Sequence, residues 1–288
     1  MHEIRVGMAQ MLVEPGEPEA NLTRAAEMVG DAARAGCDVV VLPECLDLGW
    51  THASARTLAV PIPGARATAL AAVAAENRVM VAAGLVERDG DRLYNTAVLI
   101  SAEGEILLRH RKITELEFAL RLYSVGTTLA VVPTALGVVG LDVCADNAPA
   151  SIALGQALGH MGAQVLLSPS AWAVPADHDN EVVPYGSMWL ESYTALATAY
   201  RMPVVGVSNV GPVLGGDWDG RRCIGCSLAV GMDGSVLARG PYGEAALLTV
   251  TVPLRAPDDV PPPVRAARSS GAPGQTAGHR ACGGSSST

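Results

Sequence analysis

Three side chains of different chemistry stand just past three apolar stretches: Glu44 after VVVLP, Lys112 after ILLRHR and Cys144 after GLDV. Lys112 is the only lysine of the chain, whose 20 basic residues are otherwise all arginine. A thiol attacks as its thiolate, so it needs a base, and a glutamate carboxylate can serve. An ammonium can hold the oxyanion that forms when the sulfur adds to a carbonyl. Carboxylate, amine and thiol are therefore the parts of a nucleophilic acyl-transfer site. Arginine does not replace that lysine easily, because its planar fork is larger and aims its donors differently from a compact ammonium. Singly, each residue has a plainer reading, a solvated strand end or one lysine left by chance in an arginine-biased chain. The argument rests on the three together.

Bringing them together is the work of the elements. Residues 4–12 alternate like a strand, and residues 21–36 put Leu22, Ala25, Ala26, Val29, Ala32 and Ala33 on one helical stripe. Asn21 is the expected N-cap and Gly36 the expected stop. DVVVLPE at 38–44 is an unbroken apolar run, as in a strand covered on both faces. A helix at 66–77 leads into VMVAAGLVE, LYNTAVLIS and ILLRHRKI, three antiparallel strands with turns at DGD and AEGE. The second half repeats the order: GVVGLDVC, a helix over 149–161, AQVLLSPSAW, a helix over 187–201, PVVGVSNVG, then IGCSLAVGMDGSVLARG and AALLTVTVP. Two comparable halves of alternating strands and helices predict two packed sheets with helices outside. Strand ends in layered α/β folds gather at one edge, where distant residues can share a pocket.

At these positions VVVLPE, HRKI and GLDVCAD resemble the three signature segments of the nitrilase, or carbon-nitrogen hydrolase, superfamily, in the same order. The likeness spans roughly residues 3–253 and includes LLSPSAW, PVVGVSNVG and GCSLAVGMDGSVL. It implies a four-layered α-β-β-α sandwich, with Glu44 as general base, Lys112 as oxyanion stabiliser, Cys144 as nucleophile and the Ala145 N–H as second oxyanion donor. It further implies a second glutamate on the loop after the lysine strand; of Glu115 and Glu117 in TELEF, Glu117 is preferred because it lies nearer the Tyr-Ser-Val-Gly segment at 123–126. Trp172 and Tyr123 are candidates for the pocket wall, with the core as the alternative place for each.

The same resemblance narrows the substrate. Ala145, Asp146, Asn147, Ala148 and Pro149 follow the cysteine, where members acting on N-carbamoyl amino acids commonly carry arginines and true nitrilases carry a Trp-Glu pair. N-acyltransferase members are membrane proteins, and no apolar run here reaches the roughly 20 residues of a membrane helix. The expectation is hydrolysis of a small, neutral carboxamide through a cysteine thioester. An acyltransferase using the same thioester is the alternative, and a catalytically silent binding or scaffold protein is the alternative of another class. No cofactor or metal is expected. A homodimer or larger homo-oligomer is implied by the resemblance alone.

Composition is consistent with these limits. A net charge of −9 and a pI near 5.1 would repel nucleic acid and anionic membrane surfaces. Six cysteines at 37, 45, 144, 223, 226 and 282 are too scattered for a disulfide framework, and residues 2–12 run straight into a strand without a leader, so the reading is a cytoplasmic protein. Cys223 and Cys226 form a lone C-x-x-C without a second pair, and Asp177, His178, Asp179 and Glu181 read as a solvated loop; neither is expected to bind metal. Asp146 is expected to fix the turn after Cys144 by hydrogen bonding. The domain is placed at 1–254, and 255–288, rich in Pro, Gly, Ser and Arg, is read as a disordered tail.

Overall fold

The structure is a computed structural model and describes residues 2–256. The expectation for the tail beyond residue 256 lies outside the described residues.

Two six-stranded sheets form the body. The first has the order β15-β1-β2-β3-β4-β5, from β1 (His2–Gln10), β2 (Val39–Val41), β3 (Met80–Asp89), β4 (Arg92–Ile100), β5 (Ile106–Arg111) and β15 (Ala246–Leu254). The second has the order β14-β13-β10-β8-β7-β6, from β6 (Val131–Thr134), β7 (Gly137–Leu141), β8 (Val165–Ser170), β10 (Val204–Ser208), β13 (Leu228–Val230) and β14 (Val236–Arg239). A three-stranded ribbon joins β9 (Ala173–Val174), β12 (Arg222–Ile224) and β11 (Val210–Pro212). In each large sheet a parallel centre, β1-β2-β3 or β7-β8-β10, is flanked by antiparallel strands. β2, in the middle of its parallel centre, is covered on both faces, which is why it reads as an unbroken run of valines.

Helices cover the outer faces. α1 (Pro18–Arg34) and α3 (Ala65–Asn77) close the first sheet through Ala25, Val29, Ala32, Leu70 and Ala74, which pack on Val40, Leu42, Val81 and Val98. α4 (Ala153–His160) and α5 (Ser187–Tyr200) close the second through Leu158, Trp189, Leu196 and Ala197, while α2 (Ala55–Leu58) is a single turn. Between the sheets, Val6, Met8, Val39 and Val41 meet Leu141, Val165, Leu167, Val205 and Val207. The result is the four-layered α-β-β-α sandwich. Each fully buried aliphatic side chain contributes about 1.5–3 kcal/mol, so the inter-sheet layer is the main adhesive of the body.

Several boundaries differ from the sequence reading. Helix α1 begins at Pro18, whose missing N–H suits a first helical position, so Asn21 lies inside it and is not the N-cap. Its buried amide instead bridges loops, accepting from Glu14 N at 2.9 Å and donating to Glu14 O at 2.7 Å and Asp47 O at 3.1 Å. The helix expected over 149–161 is split into a short 3₁₀ turn, Pro149–Ser151, and α4. Arg255 is buried and donates to Gly162 O at 2.9 Å and Ala163 O at 3.2 Å, so packing continues past Leu254.

Candidate active site

Glu44, Lys112 and Cys144 meet where the two sheets end side by side. The chain leaves β2 at Val41 and runs along β3, with Leu42 N donating to Ala82 O at 2.8 Å and Gly84 N to Pro43 O at 3.0 Å. A Cβ at Gly84 would stand 2.5 Å from Glu44 Cα, so only glycine lets the glutamate turn come this close. Glu44 N then donates across to Ser170 O at the end of β8, at 3.2 Å, which fixes the residue between the sheets.

Lys112 follows the last residue of β5. Its N–H donates to Asn95 O at 2.8 Å and its carbonyl accepts from Gly126 N at 2.7 Å. The returning loop presses so closely that a Cβ at Gly126 would lie 2.0 Å from Arg111 O. The ammonium is buried, with Nζ 2.6 Å from Glu44 Oε1 and 3.8 Å from Glu115 Oε2. Asn95 Nδ2 donates to the same Glu44 oxygen at 2.5 Å. One carboxylate oxygen of Glu44 is thus occupied twice, and Oε2 has no hydrogen-bond partner among the described residues. That oxygen is free to accept a hydrogen bond or a proton.

Cys144 opens a 3₁₀ turn, Cys144–Asn147, two residues beyond the loop start at Asp142. Its φ of +46° lies in the left-handed region, a conformation that costs a non-glycine residue on the order of 1 kcal/mol and lifts the thiol out of the strand direction. The surroundings hold it there. Cys144 N donates to Ser168 Oγ at 3.2 Å, and Asn147 Nδ2 donates to Asp142 Oδ1 at 2.8 Å and to Ser168 Oγ at 3.1 Å. Asp146 does more than close the turn: Oδ2 accepts from Val143 N at 3.2 Å, while Oδ1 accepts from Ile113 N at 3.1 Å and Thr114 N at 2.7 Å, just beyond Lys112.

Charge in this enclosure is tightly balanced. Burial pushes the Cys144 thiol well above its ordinary value, Glu44 adds to that rise, and Lys112 opposes it. Burial works against the Lys112 ammonium, but the Glu115 and Glu44 carboxylates outweigh it and hold the amine firmly protonated. Burial raises the Glu115 carboxyl to about 7 despite Lys112. Burial and Glu44 thus favour the protonated thiol of Cys144, against the pull of Lys112.

The three residues line a cavity of about 260 Å³ together with Ala145 and Trp172. Two expectations are corrected. Glu117 is exposed on the 3₁₀ turn Glu117–Arg121, and Glu115, with a fully buried side chain, occupies the place beside Lys112. Proximity in sequence to the downstream loop misled because the chain turns outward after Leu116. Tyr123 is buried behind the wall, its hydroxyl accepting from Thr51 N at 3.2 Å, and it does not line the cavity. Asn95 had a readable signal, a polar residue beside Thr96 in the buried stretch of β4. Trp50, Tyr185, Trp189 and Trp218, from four separate segments, had none. Cys37, Cys45, Cys223 and Cys226 are buried free thiols, and burial raises Cys223 to about 12.

The fold and this convergence define the class. Residues 5–259 match the carbon-nitrogen hydrolase family, and the chain belongs to it. It is 31% identical over 182 residues to the omega-amidase NIT2 of Xenopus tropicalis, a match covering 60% of this chain and 65% of that protein; the chain thus spans just under two thirds of that relative's length. It is 27% identical over 267 residues to the bifunctional nitrilase/nitrile hydratase NIT4B of Nicotiana tabacum, covering 82% and 74%. Among solved structures, the amidase from Nesterenkonia sp. AN1 superposes with a TM-score of 0.75 at 22% identity, covering 87% of this chain and 93% of that one. A carbon-nitrogen hydrolase from Helicobacter pylori G27 gives a TM-score of 0.76 at 21% identity, covering 88% and 90%. Both share the four-layered fold. No helix among the described residues is long and apolar enough to cross a membrane.

Proposed function

We propose that this protein hydrolyses the carbon-nitrogen bond of a small carboxamide through a thioester on Cys144, with Glu44 as base and acid and Lys112 as oxyanion holder. The observation that carries this reading is the 2.6 Å contact between Lys112 Nζ and Glu44 Oε1 in the wall of the cavity that also holds Cys144.

The substrate carbonyl enters with its carbon over the sulfur. Glu44 takes the thiol proton as the carbon-sulfur bond forms, and the carbonyl oxygen becomes an oxyanion facing Lys112 Nζ and the Ala145 N–H. The carbon-nitrogen bond then breaks, Glu44 returns the proton to the leaving nitrogen, and ammonia departs from the thioester. Water attacks next. Glu44 removes its proton, the carbon-sulfur bond breaks, and the thiolate regains a proton as the acid leaves. Glu115 serves as a buried second counter-charge to Lys112, restraining the ammonium near the reacting carbon.

Ammonia release from primary amides, nitriles, ureas and N-carbamoyl amino acids, measured with wild type and Cys144→Ala side by side, tests this. Release from the amides that disappears in a folded Cys144→Ala protein is the expected result, with the free acid as product. Undiminished release from that variant would overturn the assignment of Cys144, and an acyl-amine product formed in place of acid would redirect it to acyl transfer.

A further inference from the structure

The chain has four tryptophans, and all four, Trp50, Trp172, Trp189 and Trp218, line the cavity that holds Cys144. Its only phenylalanine, Phe118, packs against Trp50 at 5.5 Å and Trp218 at 5.3 Å between ring centroids. Aromatic residues make up 4% of the sequence, and the inter-sheet core is built mostly of Val, Leu and Ala. Large rings are thus concentrated at this one wall. Trp172 and Trp189 lie nearly parallel, 5.1 Å apart with 17° between their planes, and Trp50 and Trp218 meet edge to face at 5.0 Å. Rigid rings offer broad apolar contact at small entropic cost, which suits a ligand-facing wall.

Charge complementarity points the same way. Among the described residues Lys112 is the only cation lining the cavity, and it is already engaged by Glu44 and Glu115. A carboxamide that also bears a carboxylate would lose that group's water without gaining a cation, and would approach two buried carboxyl groups. At about 260 Å³ the cavity is slightly smaller than the roughly 300–1,000 Å³ of sites for drug-sized ligands.

Resting on the amidase reading of the site, we propose that the acyl group taken by this enzyme is uncharged, apolar and flat: a single aromatic ring on a short linker to the carboxamide, seated against the tryptophan wall. Carboxylate-bearing amides of similar length are poor substrates, and so are ammonium-bearing ones, whose charge would lose its water against the rings while both carboxyl groups are held by Lys112.

The test compares kcat/KM for phenylacetamide, 3-phenylpropionamide, succinamate and 5-aminopentanamide. The aryl amides are expected to exceed both charged ones by at least about tenfold, the scale on which one apolar pocket discriminates. Because every tryptophan lines the cavity, intrinsic fluorescence reports occupancy without turnover. In Cys144→Ala protein, phenylacetamide should shift the emission at concentrations where succinamate does not. Met188→Arg, which places a cation at a half-exposed position of the cavity wall, should raise the succinamate-to-phenylacetamide ratio. Succinamate or 5-aminopentanamide matching the aryl amides in turnover overturns the inference while leaving the amidase reading intact. A fluorescence response to aryl amides with no hydrolysis of any amide keeps the ligand class and removes the amidase reading. Fluorescence indifferent to aryl amides, or an unaltered ratio in Met188→Arg, counts against the tryptophan wall as the acyl site.

Discussion

His110 Nε2 and Asp146 Oδ2 lie 2.8 Å apart in the interior, joining the strand that leads into Lys112 to the turn that begins at Cys144. Burial would raise the Asp146 carboxyl, but His110 and the Thr114 N–H outweigh it and hold Asp146 below the ordinary carboxylate range. This one side chain therefore ties the Cys144 turn to the segment that carries Lys112. Asp146→Asn keeps the size but replaces an acceptor with a donor, leaving buried N–H groups unmatched. The expected result is a stability loss of about 1–3 kcal/mol and a fall in kcat larger than any change in KM. Thermal melts and steady-state ammonia release check both; unchanged kcat would show that the clamp does not govern the site.

Lys112→Arg tests whether a compact ammonium is required. The buried Nζ sits between carboxylates at 2.6 and 3.8 Å, and a guanidinium there must displace Glu44, Glu115 or the carbonyl-binding space. Loss of one oxyanion donor typically costs about 10²–10³ in kcat, and the arginine variant should lose at least that while also melting lower. Activity within tenfold of wild type would remove Lys112 from the oxyanion role.

Glu115 and Asp142 give stability a definite pH dependence. Burial first, then neighbouring carboxylates, raise each to about 7, from ordinary values of 4.5 and 3.8. The folded state holds protons that the unfolded chain has released. Their contribution is fully present below those ordinary values and is lost as pH rises through about 7. In melts taken from pH 4 to 8, Glu115→Gln should follow a flatter curve than wild type and gain on it toward pH 8. Parallel curves would mean that Glu115 is already ionised at low pH.

Much of this arrangement was legible in the sequence because the site lies where apolar runs stop. Unbroken stretches such as VVVLP and GVVGL mark parallel strands covered on both faces, and the residue types beyond them, Glu, Lys and Cys, are costly to bury without a purpose. The left-handed backbone of Cys144 and the choice between Glu115 and Glu117 were not legible, because loop direction after Lys112 depends on Gly126 closing against Arg111 and on Asp146 holding Ile113 and Thr114. Asn21 misled for a local reason: Pro18 started the helix one turn earlier. The tryptophan wall was least readable. Trp50, Trp172, Trp189 and Trp218 come from loops and one helix with no shared period, and only the sheet edges bring them together.

The central claim is a covalent acyl-enzyme on one particular sulfur. Wild-type protein mixed with an amide substrate, quenched in acid within the first turnovers and analysed by intact and peptide mass spectrometry, addresses it directly. The account predicts an added mass equal to the amide minus ammonia, confined to the peptide carrying Cys144 and removed by hydroxylamine. Turnover with no adduct, or an adduct on Cys45 or Cys223 instead, would contradict it.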